Sequence, residues 1–341
     1  MKLGIISMWG EDFGQFRDQI RLAEELELSL IGLGDSPVGW HELYVSLTVA
    51  AMETKHATVA PMVTTPIGRH PAVAAGAMSS LYDLTGGRVA FAIGTGGSMV
   101  KGLGRGLATQ AETVPYLKAM RALFAGESIE WDGSRVTPLA FARPVPIYYS
   151  ATGPKALALA GELADGVVLT VGSSMSELDE KIAQVRAGAE KAGRDPQSID
   201  IWAYSFCSVR DSRTEALADI SSFLASTAAH QLKNKYFFDR VPENLKPKVL
   251  EVQRRYDVTQ HTVAGGVNGK LVEALGLADY LAGLNSIAGT PEEVAGQLSA
   301  IRERGISRLM IALPGISDRE GTVRRMTEAM KLSERTRTEN S

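Results

Sequence analysis

The sequence predicts an α/β fold, a single (β/α)8 TIM barrel, on three observations. Short apolar runs rich in β-branched residues recur eight times, longer amphipathic stretches separate them, and the alternation continues from the first residues to beyond residue 300. The short runs are nearly continuous in hydrophobicity, as parallel strands covered on both faces should be. An open doubly wound sheet is the competing arrangement, and eight strand–helix repeats favour the closed one.

The strands are read at Lys2–Ser7, Ser29–Leu33, Thr58–Val63, Arg88–Ile93, Ile147–Ser150, Gly166–Thr170, Ile199–Val209 and Arg308–Leu313. Between them lie helical patterns at Gln15–Glu27, Glu42–Thr54, Ala72–Leu84, Thr113–Phe124, Pro154–Leu163 and Glu177–Ala192. Thr290-Pro291-Glu292-Glu293 places an N-cap, a proline at the first helical position and acids at the positive end of the helix dipole. Gly153-Pro154 opens another helix in a similar way. Two connections are too long to be links: about 95–146 after strand 4, with a hairpin-like turn at Trp131-Asp132-Gly133, and about 211–288 after strand 7, helical and rich in charge. Residues 1–332 are therefore expected to form the barrel, with a helical insertion at about 211–288, and 333–341 a polar C-terminal tail.

Composition excludes several function classes. With 36 basic and 39 acidic residues the net charge is −3, which lacks the basic footprint of a nucleic-acid binder. Cys207 is the only cysteine, so neither an internal disulfide nor a cysteine zinc site can form. No apolar run reaches membrane-span length, and the apolar start of the chain meets Glu11 and Asp12 too early for a signal peptide, so a cytoplasmic protein is expected. The five histidines have no metal-ligand spacing, and no metal is expected. Metalloprotease, nucleophile-elbow and Walker signatures are missing. Gly94-Thr95-Gly96 begins like a dinucleotide fingerprint, but Met99 stands where its third glycine should be. What is left is a barrel with glycine-rich strand ends and no nucleophile of its own, suited to a planar, phosphorylated cofactor that carries the chemistry.

Three segments together resemble the bacterial luciferase-like superfamily, which includes reduced-flavin monooxygenases and coenzyme F-420-dependent reductases similar to methylenetetrahydromethanopterin reductase. The first runs from Val63-Thr64-Thr65-Pro66 through Arg69-His70-Pro71-Ala72 and Gly86-Gly87-Arg88 to Gly94-Thr95-Gly96. The second is Tyr149-Ser150-Ala151-Thr152-Gly153-Pro154-Lys155, continuing through Ala160-Gly161-Glu162-Leu163-Ala164-Asp165-Gly166. The third is Ala288-Gly289-Thr290-Pro291-Glu292-Glu293-Val294. The resemblance covers nearly the whole chain and is weakest between about 211 and 285.

It implies a cofactor site residue by residue. Met62-Val63 falls where such proteins carry a non-prolyl cis peptide behind the ring; Thr64 and Thr65 would bond the ring edge. Ser150, Ala151, Thr152 and Gly153 lie where the family binds the cofactor phosphate, with small residues and a helix N-terminus to receive it. Lys155 is either an aid to that binding or a solvated surface residue. Thr170, Val171 and Gly172 would flank the same cofactor; Asp35, Ser36 and Trp40 would line the pocket mouth, and Tyr204 and Phe206 the substrate pocket. The sugar-phosphate dehydrogenases of this group carry a histidine after the aspartate and an acid after Gly-Thr-Gly; this chain has Ser36 and Gly97. That argues against alcohol oxidation by the same route. His70, His261 and Ser36 are the candidate catalytic proton donors, although for His70, just before Pro71, a helix cap is the favoured role.

Two enzyme readings follow: a monooxygenase using reduced FMN and O2 on a small organic substrate, with a separate flavin reductase as partner, or a coenzyme F-420-dependent hydride-transfer enzyme. The missing dehydrogenase residues favour FMN by a small margin. A non-catalytic flavin-binding barrel is the reading from another class. The resemblance also implies a homodimer.

Overall fold

The computed structural model describes the chain apart from residues 8–11, 261–262, 264, 314–315, 317 and 340–341; at 98 and 336–339 it describes the backbone only. The elements in chain order are β1 (Lys2–Ser7), α1 (Phe13–Glu25), β2 (Leu30–Leu33), α2 (Leu43–Glu53), β3 (Thr58–Pro61), α3 (Pro71–Thr85), β4 (Phe91–Ile93), α4 (Ser98–Gly102) and α5 (Gln110–Phe124). A hairpin of β5 (Ile129–Trp131) and β6 (Ser134–Val136) follows. Then come β7 (Ile147–Ala151), α6 (Pro154–Leu163), β8 (Gly166–Thr170), α7 (Met175–Lys191) and β9 (Asp200–Val209). The insertion holds α8 (Arg213–His230), α9 (Lys235–Phe238), α10 (Lys246–Arg255), α11 (Val267–Ala274) and α12 (Ala278–Asn285). β10 (Ser286–Gly289), α13 (Pro291–Glu303), β11 (Arg308–Ala312) and α14 (Arg319–Glu339) complete the chain.

The strands run β3-β2-β1-β11-β9-β8-β7-β4. Isolated parallel bridges join Val59 to Val89 and Thr64 to Ile93, bringing β4 back to β3 and closing the (β/α)8 barrel. The resolved pairings are parallel: Ile5 faces Ile31, Leu30 faces Thr58, Phe91 faces Ile147, and Ala151 faces Leu169. β-branched and aliphatic side chains fill the strands on both faces, and Leu30, Val59, Phe91, Val167 and Leu309 are fully buried. The expected strands are thus present, some trimmed by a few residues, and the hairpin turns where Trp131-Asp132-Gly133 placed it.

Contacts divide the chain into two compact units. The first (residues 1–169, 180–203 and 306–310) contains all eight barrel strands in whole or in part. Several of its helices start where side chains answer their free N–H groups. Thr109 and Glu112 form a reciprocal capping box on α5, and His70 caps α3 ahead of Pro71.

The second unit (residues 170–179, 204–305 and 311–341) holds the whole insertion and a strand absent from the sequence-based expectation. This strand, β10, pairs in parallel with the outer half of β9, Ser286 facing Phe206 and Gly289 facing Val209. The insertion packs around α8, whose Ile220, Leu224, Ala225 and Ala228 are fully buried and which α10, α11 and α12 all touch. α13 opens on the Thr290–Glu293 capping box. α14 remains helical through the polar segment from residue 333 to Glu339.

Candidate functional site

Unit one gathers the ends of β2, β3, β4 and β7 with the loops that follow them. At the end of β3 the Met62–Val63 peptide is cis, at the position expected from the sequence. Its neighbours leave it room by having no side chain. A Cβ on Gly32 would overlap Met62, and one on Gly94 would lie 3.0 Å from Val63 Cγ2. The next residue is held on both sides of its peptide: Thr64 N donates to Ala92 O (3.1 Å) and Thr64 O accepts from Gly94 N (2.9 Å). Gly96 turns at φ +92°, a conformation L side chains rarely adopt, and a Cβ there would press on Val100.

Asp35, just past β2, is 8% exposed and carries three hydrogen bonds. Its Oδ2 accepts from Thr64 Oγ1 (2.6 Å) and from Arg69 Nη1 (2.6 Å), and its Oδ1 from Arg69 Nη2 (3.3 Å). The Arg69 Nη2 also donates to Glu42 (2.7 Å), and the guanidinium lies 5.0 Å from the centre of the Tyr44 ring. Burial alone would lower the Arg69 pKa; the bonds and charge of Asp35, helped by Glu42, outweigh it and raise it above the ordinary value. Burial likewise raises the Tyr44 and Tyr116 phenols, so both stay protonated donors.

Among the described residues, three hydroxyls in this region are buried without a partner: Ser36 Oγ, Tyr44 Oη and Thr65 Oγ1. Of the two threonines expected at the ring edge, Thr64 has already given its proton to Asp35, while Thr65 has not. Unsatisfied buried hydroxyls are costly, and a polar ring edge would satisfy them. Trp40 lies half-buried against Gly34, where a Cβ would sit 2.9 Å from its Nε1.

The segment Ser150, Ala151, Thr152 and Gly153 ends β7 and leads into α6. Gly153 is the N-cap and gives no side-chain cap bond, and Pro154 occupies the first turn. The helix start is therefore open to an anion. Lys155 is exposed. Thr95, between the two glycines after β4, accepts from Ala108 N (2.8 Å) and so ties down the following connection.

His70 is exposed, and its Nδ1 accepts from Ala72 N at 3.2 Å, as an α3 cap. It also lines a cleft of about 550 Å³ with Arg69, Arg105, Glu112, Trp131 and Asp132. Ser36 lies beside the Asp35 network but makes no bond to it. His261 lies outside the described residues.

The remaining expected residues belong to unit two. Val171 N donates to Tyr204 O (2.9 Å), and Ser205 Oγ donates to Val171 O (2.9 Å). A Cβ on Gly172 would overlap the backbone of α12 at Ala282 and Gly283. Tyr204 and Phe206 meet edge to face at 5.4 Å, with Phe223 5.0 Å from Phe206. Burial raises the Tyr204 phenol, and it pushes the Cys207 thiol up to about 12, which leaves that sulfur without nucleophilic character. Thr170 ends β8. Among the described residues no cluster of His, Cys, Asp or Glu could hold a metal.

The family model described as luciferase-like monooxygenase matches residues 1–308. The chain belongs to the luciferase-like monooxygenase family. Among its relatives in this luciferase-like family is the 5,10-methylenetetrahydromethanopterin reductase of Methanolobus tindarius, 30% identical over 80% of this chain and 82% of the relative. The fold is similar to that of the coenzyme F-420-dependent tetrahydromethanopterin reductase of Methanopyrus kandleri, with a TM-score of 0.74, 20% identity, and 96% and 97% of the two chains covered. It is also similar to the FMN-bound oxygenating component of 3,6-diketocamphane monooxygenase from Pseudomonas putida, with a TM-score of 0.65, 17% identity, and 97% and 96% covered. The protein is thus an oxidoreductase of the luciferase-like type. No helix among the described residues is long and apolar enough to cross a membrane.

The sequence reading missed the Arg69 network. Arg69 stood inside a resembling segment, but its partners Asp35 and Glu42 lie 34 and 27 positions away, and no local spacing links them.

Proposed function

We propose that the protein is a coenzyme F-420-dependent oxidoreductase that exchanges a hydride with a small organic substrate. The observation that carries the choice of cofactor is the relative named as a methylenetetrahydromethanopterin reductase, 30% identical across four fifths of both chains, taken with the similarly folded tetrahydromethanopterin reductase described as coenzyme F-420-dependent. The missing dehydrogenase residues, which on sequence alone favour reduced FMN, mark one branch of the deazaflavin enzymes and leave reductases untouched.

The residues present fit such a group. The open N-terminus of α6, with Ala151, Thr152 and Gly153 ahead of it, would hold its phosphate. Thr65 and Ser36 offer the ring edge two hydroxyls that lack partners among the described residues. Met62 and Val63, packed on Gly32 and Gly94, would back the ring. Coenzyme F-420 supplies the hydride chemistry when bound. The chain's own part is to orient the ring, exclude water from it and keep the Asp35 carboxylate fixed by Arg69. A cytoplasmic protein goes with this reading.

The homodimer implied by the resemblance is also retained. α2 and α3 touch each other and expose Val45, Met52, Val73 and Leu84, an apolar face suited to a second copy. Sedimentation equilibrium of wild type and Met52→Lys tests it, and a wild-type monomer would end it.

Anaerobic titration with coenzyme F-420 and, separately, with reduced FMN tests the cofactor. Tight binding of coenzyme F-420 with weak binding of FMN is expected. The reverse, followed by substrate oxygenation on admitting O2, would restore the monooxygenase reading and its flavin-reductase partner. Binding without turnover of any substrate would mark a storage barrel.

A further inference from the structure

We infer that Arg69 is a positioning residue for this site: it fixes the Asp35 carboxylate, and through it the Thr64 hydroxyl, so that the residues after β3 meet the cofactor in one arrangement. The inference rests on the cofactor assignment above but not on the choice between deazaflavin and flavin.

Asp35 follows β2 and Arg69 lies between β3 and α3, so their contact joins two successive strand ends. Thr64 brings in a third, because its backbone bonds to Ala92 in β4 and to Gly94 just beyond it. Among the described residues, Arg69 is the one cation bonded to Asp35. The guanidinium reaches both carboxylate oxygens, and its second nitrogen also reaches Glu42. Tyr44 packs beneath it. A planar fork can span two acids in this way, whereas an ammonium is a point charge with no such plane.

The Thr64 hydroxyl has one proton, and it points at Asp35 Oδ2. Its lone pairs face elsewhere only while that carboxylate stays in place. Without Arg69, Asp35 would be a buried anion supported by one hydroxyl and would have to move towards water or rearrange its partners. Thr64 would lose its fixed rotamer, next to the two residues expected behind the ring.

The test is a set of cofactor titrations on purified full-length protein, with thermal unfolding measured in parallel. Wild type, Arg69→Gln, Arg69→Lys, Thr64→Val, Asp35→Asn and the Arg69→Gln/Asp35→Asn double variant are each titrated with coenzyme F-420 and with reduced FMN. For the cofactor that binds wild type, Arg69→Gln should weaken binding about tenfold or more, the scale of a lost charge-assisted bond. Arg69→Lys should recover part of that loss. Thr64→Val should reproduce part of it with little change in melting temperature, which a merely structural arginine would not cause. The double variant should bind less weakly than the two single losses multiplied. Binding within about twofold of wild type in folded Arg69→Gln, or in both Thr64→Val and Arg69→Lys should Arg69→Gln not fold, overturns the inference. Strictly multiplicative losses in the double variant also overturn it. Failure of wild type to bind either cofactor withdraws the cofactor assignment and this inference together.

Discussion

Each unit holds an aspartate gripped by an arginine and a hydroxyl, and the two clusters differ in what surrounds them. In unit one, Asp35 with Thr64 and Arg69 has side chains 4% and 19% exposed across the ion pair. In unit two, Asp219 accepts from Ser208 Oγ and Arg210 Nε, both at 2.6 Å, and both members of that pair are 23% exposed. The distances are alike. The second cluster opens onto a cavity of about 400 Å³ lined by further charges, Asp211, Glu215 and Arg325 among them. Arg325 also holds Asp318 (3.0 Å), which lies 3.7 Å from Arg210. Equal geometry therefore does not mean equal consequence. Solvent reaches both members of the second pair, whereas in the first it reaches Arg69 from the cleft but leaves Asp35 almost wholly buried, so a lost partner is harder to replace there.

Removing one arginine from each cluster should expose that difference. Arg69→Gln should destabilise the protein by about 3 kcal/mol or more, since it strands a buried carboxylate. Replacing the pair together, as Arg69→Met with Asp35→Leu, should recover much of the stability while leaving cofactor binding impaired. Arg210→Gln should cost about 1 kcal/mol at most, the usual ceiling for a pair that solvent can reach. Urea unfolding read by circular dichroism measures all three. Equal losses for Arg69→Gln and Arg210→Gln would show that burial does not separate the clusters.

What the sequence disclosed divides along the same physical line. Strands, helix starts and the hairpin are local, written within a few residues of one another. The eight runs, the Thr290–Glu293 cap and the Trp131-Asp132-Gly133 turn are accordingly all present. Met62-Val63 was placed by resemblance, and its packing against Gly32 and Gly94 depends on neighbouring strands. β10 went unseen because Ser286–Gly289 is four residues directly after a helix, too short for a period to show. A usable hint was the ten-residue length of β9, whose outer half needs a neighbour of its own. The Asp35–Arg69–Glu42 network is set by which loops the barrel brings together, and no pattern along the chain contains it.

Acid should sharpen the contrast further, with a smaller effect confined to unit two. The hydrogen bond from Arg325, with that from Gly321 N–H, holds the Asp318 carboxyl below its ordinary 3.8. A depressed folded-state pKa favours the folded protein above the unfolded value, and the benefit disappears as pH falls through the folded one. Its contribution should therefore be complete above about pH 5 and fade below pH 4. Asp318→Asn should abolish that part of the acid sensitivity. An unchanged slope of stability against pH in the variant would assign the acid loss elsewhere.

The smallest effect is expected for asparagine at His70, and it separates two roles that one imidazole could fill. Its Nδ1 accepts from Ala72 N, so the ring caps α3, and the residue also lines the cleft shared with Trp131 and Arg105. Alanine would remove cap and imidazole together and should cost about 1 kcal/mol. Asparagine keeps a side-chain oxygen for the cap and removes only the titratable ring, so His70→Asn should be nearly neutral in stability. If capping is the whole role, His70→Asn will turn over substrate at the wild-type rate. A rate loss in His70→Asn with stability intact would instead return this histidine to the proton-donor position, because the cap could no longer account for it.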